Sequence, residues 1–148
     1  MTATTAKPML RLVRHFTPAE ANAALEHVRP LVEKLVAQRT EHIAALERQE
    51  ELEGKIRGNG GGIPPAQLAD ATAEVDAHAR RLAKLVDEIN ARGAEVKDID
   101  TGLIDFPALL NGETVLLCWQ LGEEEIGFWH RADDGFAGRR PLPFSEED

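Results

Sequence analysis

The side chains able to do chemistry in this sequence gather toward its C-terminal end. Cys118 to Leu142, CWQLGEEEIGFWHRADDGFAGRRPL, holds both tryptophans, a histidine, adjacent acids and an arginine pair. Histidine titrates near neutral pH, so His130 could act as a general base or a metal ligand, with Asp133 or Asp134 orienting it or sharing the ion. Two such partners fall short of a complete ligand set, and the plainer expectation is a histidine at a strand end hydrogen-bonded to a nearby carboxylate. Arg139 offers a planar fork that suits a carboxylate or phosphate, on a loop where Gly135 and Gly138 permit positive φ and Phe136 anchors the segment in an apolar pocket. The local excess of acid favours instead an internal salt bridge from Arg139 to Asp105, Glu123 or Asp133. Asp105, Trp119, Glu123, Trp129, His130, Asp133, Asp134, Phe136 and Arg139 are therefore the candidate site, with His130, Asp133 and Asp134 as the metal-ligating subset.

Other chemistry is less well supported. Cys118 sits inside the apolar run VLLCW, the setting of a buried core thiol rather than a nucleophile, and a single cysteine makes no internal disulfide. Asp98 and Asp100 would share one face of an extended strand, more in keeping with a solvated edge than with a cation site. There is no HExxH pair, no serine elbow and no CxxC, so no cofactor is indicated and the balance leans away from an enzyme.

These residues need elements to position them. Thr17, Pro18 and Glu20 form a T-x-x-E capping box behind Phe16, and Leu25, Val28, Val32 and Leu35 then recur at helical spacing. Pro30 lacks a donor and crowds the carbonyl of Glu26, so a kink or short break is expected near it, with the helix resuming to about Ile56. RGNGGGIPP, residues 57–65, cannot continue a helix and reads as a hairpin tip; it lacks the strand and lysine of a phosphate-binding loop. Leu68, Ala71, Val75, His78, Leu82, Leu85 and Ile89 then keep a coiled-coil-like alternation of three and four residues until Gly93 stops it. His78 lies on this seam about where His42 could face it, and two histidines alone make a poor metal site. Residues 9–16 alternate like a short strand. After Gly93 the period shortens: AEVKDID and GLIDFP read as extended pieces, the latter ending at Pro107, and ETVLLCWQ and EIGFWHR read as strands around an LGEEE turn. A tight turn there would put Ile126, Phe128 and His130 on one face, and Gly127, Trp129 and Arg131 on the other.

The expected architecture is a single α+β domain over residues 1–148. A long antiparallel helical hairpin, residues 17–92, packs on a small antiparallel β-sheet with a C-terminal loop, residues 93–142, followed by an acidic tail over 143–148. A two-helix hairpin buries one face only, so a homodimer is expected to complete the core.

Charge narrows the partners. Of 17 Lys/Arg and 26 Asp/Glu, residues 93–148 hold 4 and 13, so the whole net charge of -9 lies there. An acidic field repels phosphate backbones and argues against nucleic acid, leaving cations, basic protein surfaces and plain solubility open, while the Arg139 fork adds a small anionic ligand or a protein partner as possible acceptors. No apolar run approaches a bilayer span and MTATTAKPMLRLVRHF lacks a signal-peptide core, so a cytoplasmic protein with no membrane role is expected.

Three segments, FTPAEANAALEHVRPL, KDIDTGLIDFPAL and CWQLGEEEIGFWHRADDGFAGRRPL, carry a resemblance. They are similar to the uncharacterised bacterial family named domain of unknown function 2203, through the elements W-x-x-G-E, F-W-H and G-F-x-G-R-x-P. The resemblance implies a single-domain prokaryotic protein and supplies no catalytic residues. The functional expectation therefore rests on the residues: a noncatalytic binding or assembly module first, a metal-dependent or His-based enzyme second, and a hairpin regulator of a larger complex third.

Overall fold

Thr17 opens the first helix as its sequence requires. Its hydroxyl accepts the Glu20 N–H at 3.1 Å while the Glu20 carboxylate accepts the Thr17 N–H at 2.9 Å, closing the reciprocal capping box. In the computed structural model, which describes residues 14–59 and 62–145, helix α1 then runs over Pro18–Asn59 and helix α2 over Pro65–Ala91. Side-chain pairs between the helices, Gln38 with His78, Arg48 with Glu74 and Gln49 with Thr72, climb one helix as they descend the other, so the hairpin is antiparallel. Gly93 follows α2 at φ 97°, and a β-carbon there would run into the Phe16 ring. Only glycine meets both demands.

Strands β1 (Glu95–Asp98), β2 (Leu103–Leu110), β3 (Glu113–Gln120), β4 (Phe128–Arg131) and β5 (Arg140–Pro141) form one antiparallel sheet in chain order. Asn111 and Gly112, both at positive φ, make the two-residue turn between β2 and β3. Alternation then sorts the sheet. Ile104, Phe106, Ala108, Val115, Leu117, Trp119 and Trp129 face Leu25, Val28, Val32, Leu35, Leu82 and Ile89 of the helices in one core. Asp105, Pro107, Leu116, Cys118 and His130 are buried on the opposite face.

Several expectations change. The helix assignment continues unbroken through Pro30, so there is no break; the residue is exposed, where water can serve the carbonyl its ring leaves without a donor. β2 does not end at Pro107 but runs through it. The Pro107 carbonyl accepts the Phe16 N–H at 2.7 Å, on the side away from β3, so the missing Pro107 donor also faces that side and costs the β2–β3 ladder nothing. Of the expected strand at 9–16, residues 14–16 are irregular and 9–13 lie outside the described residues. Residues 60–61 of the expected tip and 146–148 of the acidic tail also lie outside them. Among the described residues no helix is long and apolar enough to cross a membrane.

Candidate functional site

The sheet divides the candidate residues. Trp119 and Trp129, both fully buried, belong to the helix-facing core, where Phe144 packs edge-on against Trp129 with ring centroids 5.3 Å apart. The Trp119 indole N–H donates to the Glu123 carbonyl at 3.0 Å, and Gly122, at φ 107°, turns the chain between them. Arg29 and Asn22 of α1 hold the following loop through the carbonyls of Glu124, at 2.6 Å, and Ile126, at 3.4 Å, while the Ile126 N–H donates back to Asn22 at 2.8 Å. This loop draws Ile126 into the helix-facing core, so it does not share the face of Phe128 and His130 as a longer β4 would have required.

Glu123 and Arg139 form a second group. One carboxylate oxygen of Glu123 accepts both the Gln120 N–H and an Arg139 guanidinium N–H, each at 2.8 Å. Arg139 also lies 4.1 Å from the centre of the Phe128 ring and 4.5 Å from that of Phe136. Desolvation works against its charge, and the Glu123 hydrogen bond, together with Cys118 and the Glu123 charge, more than offsets it. The fork expected either to present itself to an anion or to pair internally is thus engaged by Glu123, and the arginine ties the C-terminal loop to the end of β3. Phe136 is not sunk in an apolar pocket: it is 43% exposed and covers the guanidinium instead. Gly135 does take positive φ, 70°, but Gly138 is glycine for another reason, because a β-carbon would collide with Asp134. Asp133 and Asp134 lie exposed on this loop.

The third group is assembled across three strands. Asp105 stands opposite Cys118 in the β2–β3 register, and His130 stands opposite Leu116, two residues along β3 from Cys118. The His130 Nε2 lies 3.2 Å from Asp105 Oδ2, and its Nδ1 lies 2.8 Å from the Arg131 carbonyl oxygen. A carbonyl only accepts, so Nδ1 carries a proton. Nε2 and Oδ2 then share one further proton, since two bare acceptors would repel at that distance. Asp105 and His130 are 2% and 4% exposed and Cys118 is fully buried, while Asp105 Oδ1 has no hydrogen-bond partner of normal geometry among the described residues. Burial raises the Asp105 carboxyl above its usual range, opposed first by His130 and then by Lys97 and the Cys118 thiol. Burial, reinforced by the Asp105 charge, pushes the Cys118 thiol up to about 12.

Two consequences for chemistry follow. A thiol held that high and sealed from solvent is a poor nucleophile, which agrees with its reading as an inert core cysteine. Yet one atom from each of Asp105, Cys118 and His130 falls within 4.8 Å of the others, a carboxylate, a thiol and an imidazole that could together hold a metal ion. The histidine thus finds its carboxylate in Asp105 rather than in Asp133 or Asp134, and sequence reading missed Cys118 as its neighbour. Elsewhere, Asp98 and Asp100 do not share a strand face: Asp98 accepts the Asp100 N–H at 2.9 Å in the turn after β1, and Asp100 pairs with Arg39. His78 meets Gln38 and Arg81, and His42 meets Arg39.

The residues of the W-x-x-G-E and G-F-x-G-R-x-P elements therefore serve as fasteners of one turn and one loop. No curated protein and no solved structure matches the chain. Residues 14–142 match the family described as an uncharacterized conserved protein, DUF2203. The match begins three residues before the capping Thr17 and ends one residue past the last strand, and the chain belongs to the DUF2203 family.

Proposed function

We propose that this protein is a noncatalytic assembly module that associates with a second copy of itself through the distal half of its helical hairpin. The observation that carries the reading is where the core stops. The helical residues of the main core end at Val36 on α1 and begin at Leu82 on α2, so none of the described residues between 43 and 75 belongs to the core that the helices share with the sheet. The 23 residues of α1 beyond Val36 make an arm of roughly 35 Å at about 1.5 Å per residue. Ala45 and Ala71 fill its seam, small residues that let the helices approach but bury little apolar surface. Ile43 and Leu46 remain 37% and 38% exposed on it, and near the tip Ile56, Ile63 and Leu68 line an open apolar trough of about 670 Å³. A second hairpin laid against the first would give the arm the layer that two helices alone do not supply.

Sedimentation or native mass spectrometry over a range of concentrations tests this. The expected result is a dimer that dissociates when Ile43 and Leu46 are both changed to glutamate, with helix content retained. A monomer at every concentration, or a dimer indifferent to the double change, would overturn it.

A further inference from the structure

We infer that Asp105, Cys118 and His130 constitute a binding site for one divalent transition metal ion of the zinc class, on the sheet face turned away from the helices. The donor set comes first. A thiolate, an imidazole and a carboxylate suit zinc or cobalt better than calcium or magnesium, which require a cage of oxygens. Geometry comes next. Ligand atoms at about 2.0–2.3 Å from a tetrahedral ion lie about 3.3–3.8 Å from one another. The three donor atoms already lie within 4.8 Å of each other, so closing on an ion asks for a shift of about 1 Å. His130 is preset for the role. Its Nδ1–H is committed to the Arg131 carbonyl, which directs the other ring nitrogen at Asp105 and fixes the tautomer that ligation through Nε2 needs.

Two further observations point to something missing from a purely structural account. Asp105 is 2% exposed, yet among the described residues its Oδ1 has no hydrogen-bond partner of normal geometry, and the polar group that acts on the carboxyl besides His130 and Lys97 is the weak donor Cys118, an arrangement that costs stability unless another group uses that oxygen. Charge also balances. Without metal the group holds a thiol and an Asp–His pair sharing one excess proton, with no net charge. With a dication it would hold a thiolate, a carboxylate and a neutral imidazole, again with no net charge. Binding therefore exchanges one M²⁺ for two protons, one from Cys118 and one from the Asp105–His130 pair, and leaves no uncompensated charge in the sheet. The exposed Asp133 and Asp134, which the sequence offered as co-ligands of His130, take no part.

Titration of the chelator-stripped full chain with Co²⁺ tests the inference, because the chain has a single cysteine. Any thiolate-to-cobalt charge-transfer band in the near ultraviolet must then come from Cys118. The expected result is that band together with visible absorption of tetrahedral intensity, saturating at one equivalent, displaced by Zn²⁺, and accompanied by about two protons released per ion in weak buffer. Asp105→Asn and Cys118→Ala, each with an unchanged far-ultraviolet circular dichroism spectrum, should weaken binding by on the order of 100-fold or more, whereas Asp133→Asn combined with Asp134→Asn should leave it unaltered. Absence of a stoichiometric charge-transfer band in the wild-type chain would overturn the site outright, with no need of a variant. Loss of binding in the Asp133/Asp134 double variant would also overturn it, moving the ion to the loop.

Discussion

At Asp105, burial and function pull in opposite directions. Because its carboxyl is raised by desolvation, the folded protein holds a proton that the unfolded chain has already released, over the pH interval from the ordinary carboxylate value of 3.8 up to the folded one. Stability of the chelator-stripped protein should therefore fall as pH rises through that interval. Asn in its place is nearly isosteric and can donate to His130 Nε2, so Asp105→Asn should flatten the decline and equal or exceed the wild type in denaturant midpoint at pH 7. A clear loss of stability at pH 7 would mean that the carboxylate is there for the fold. Cys118 supports a second prediction: with its thiol at about 12 and no exposure, thiol reagents at pH 8 should label it only as fast as the protein unfolds, and labelling at the rate of a free cysteine would contradict the burial. Residue type alone singled out Asp105 and His130, since buried or clustered ionisable groups are informative wherever they occur. It could not join them to Cys118. That neighbourhood depends on the registers of two strand pairs, and an apolar run such as VLLCW conceals a ligand as readily as it announces a strand.

The elements were read where their periods are long and their punctuation chemical. The T-x-x-E box formed as expected; Thr17→Ala should cost about 1 kcal/mol of thermal or denaturant stability. Gly93→Ala should cost more, because the new β-carbon must both adopt positive φ and displace the Phe16 ring. Equal stabilities in a denaturant series would refute either account. The α+β class, the two helices and the central strands were legible from spacings of 3.6 and 2. What escaped was set by pairing rather than by period. The two residues of β5 are too few to show alternation and are defined by their register with β4. Pro107 looked like a terminator until the side on which its missing donor falls was known. Asn111-Gly112 does carry its turn chemistry in the sequence, as two residues suited to positive φ between apolar runs.

Over the whole molecule, the division between a sheet-backed base and an unbacked arm makes a prediction that neither part makes alone. Replacing residues 43–75 by a short glycine-serine turn should leave a folded base with its near-ultraviolet tryptophan spectrum intact, since both tryptophans lie in the core of the base, and should abolish self-association. A base that fails to fold would show that the arm is structural. The strand order has a kinetic consequence as well. Neighbours in the sheet are neighbours in sequence throughout, and the helices meet across a short tip, so most native contacts close small loops and little chain entropy is lost before each contact forms. The exceptions are the contacts of the first half of α1 with the sheet, from the clasps of Phe16 to Pro107 and Asn22 to Ile126 to the core packing of Leu25, Val28, Val32 and Leu35, which close long stretches of chain. Those should be the last to form, leaving a transition state in which hairpin and meander are already built and the entry to the first helix is still loose.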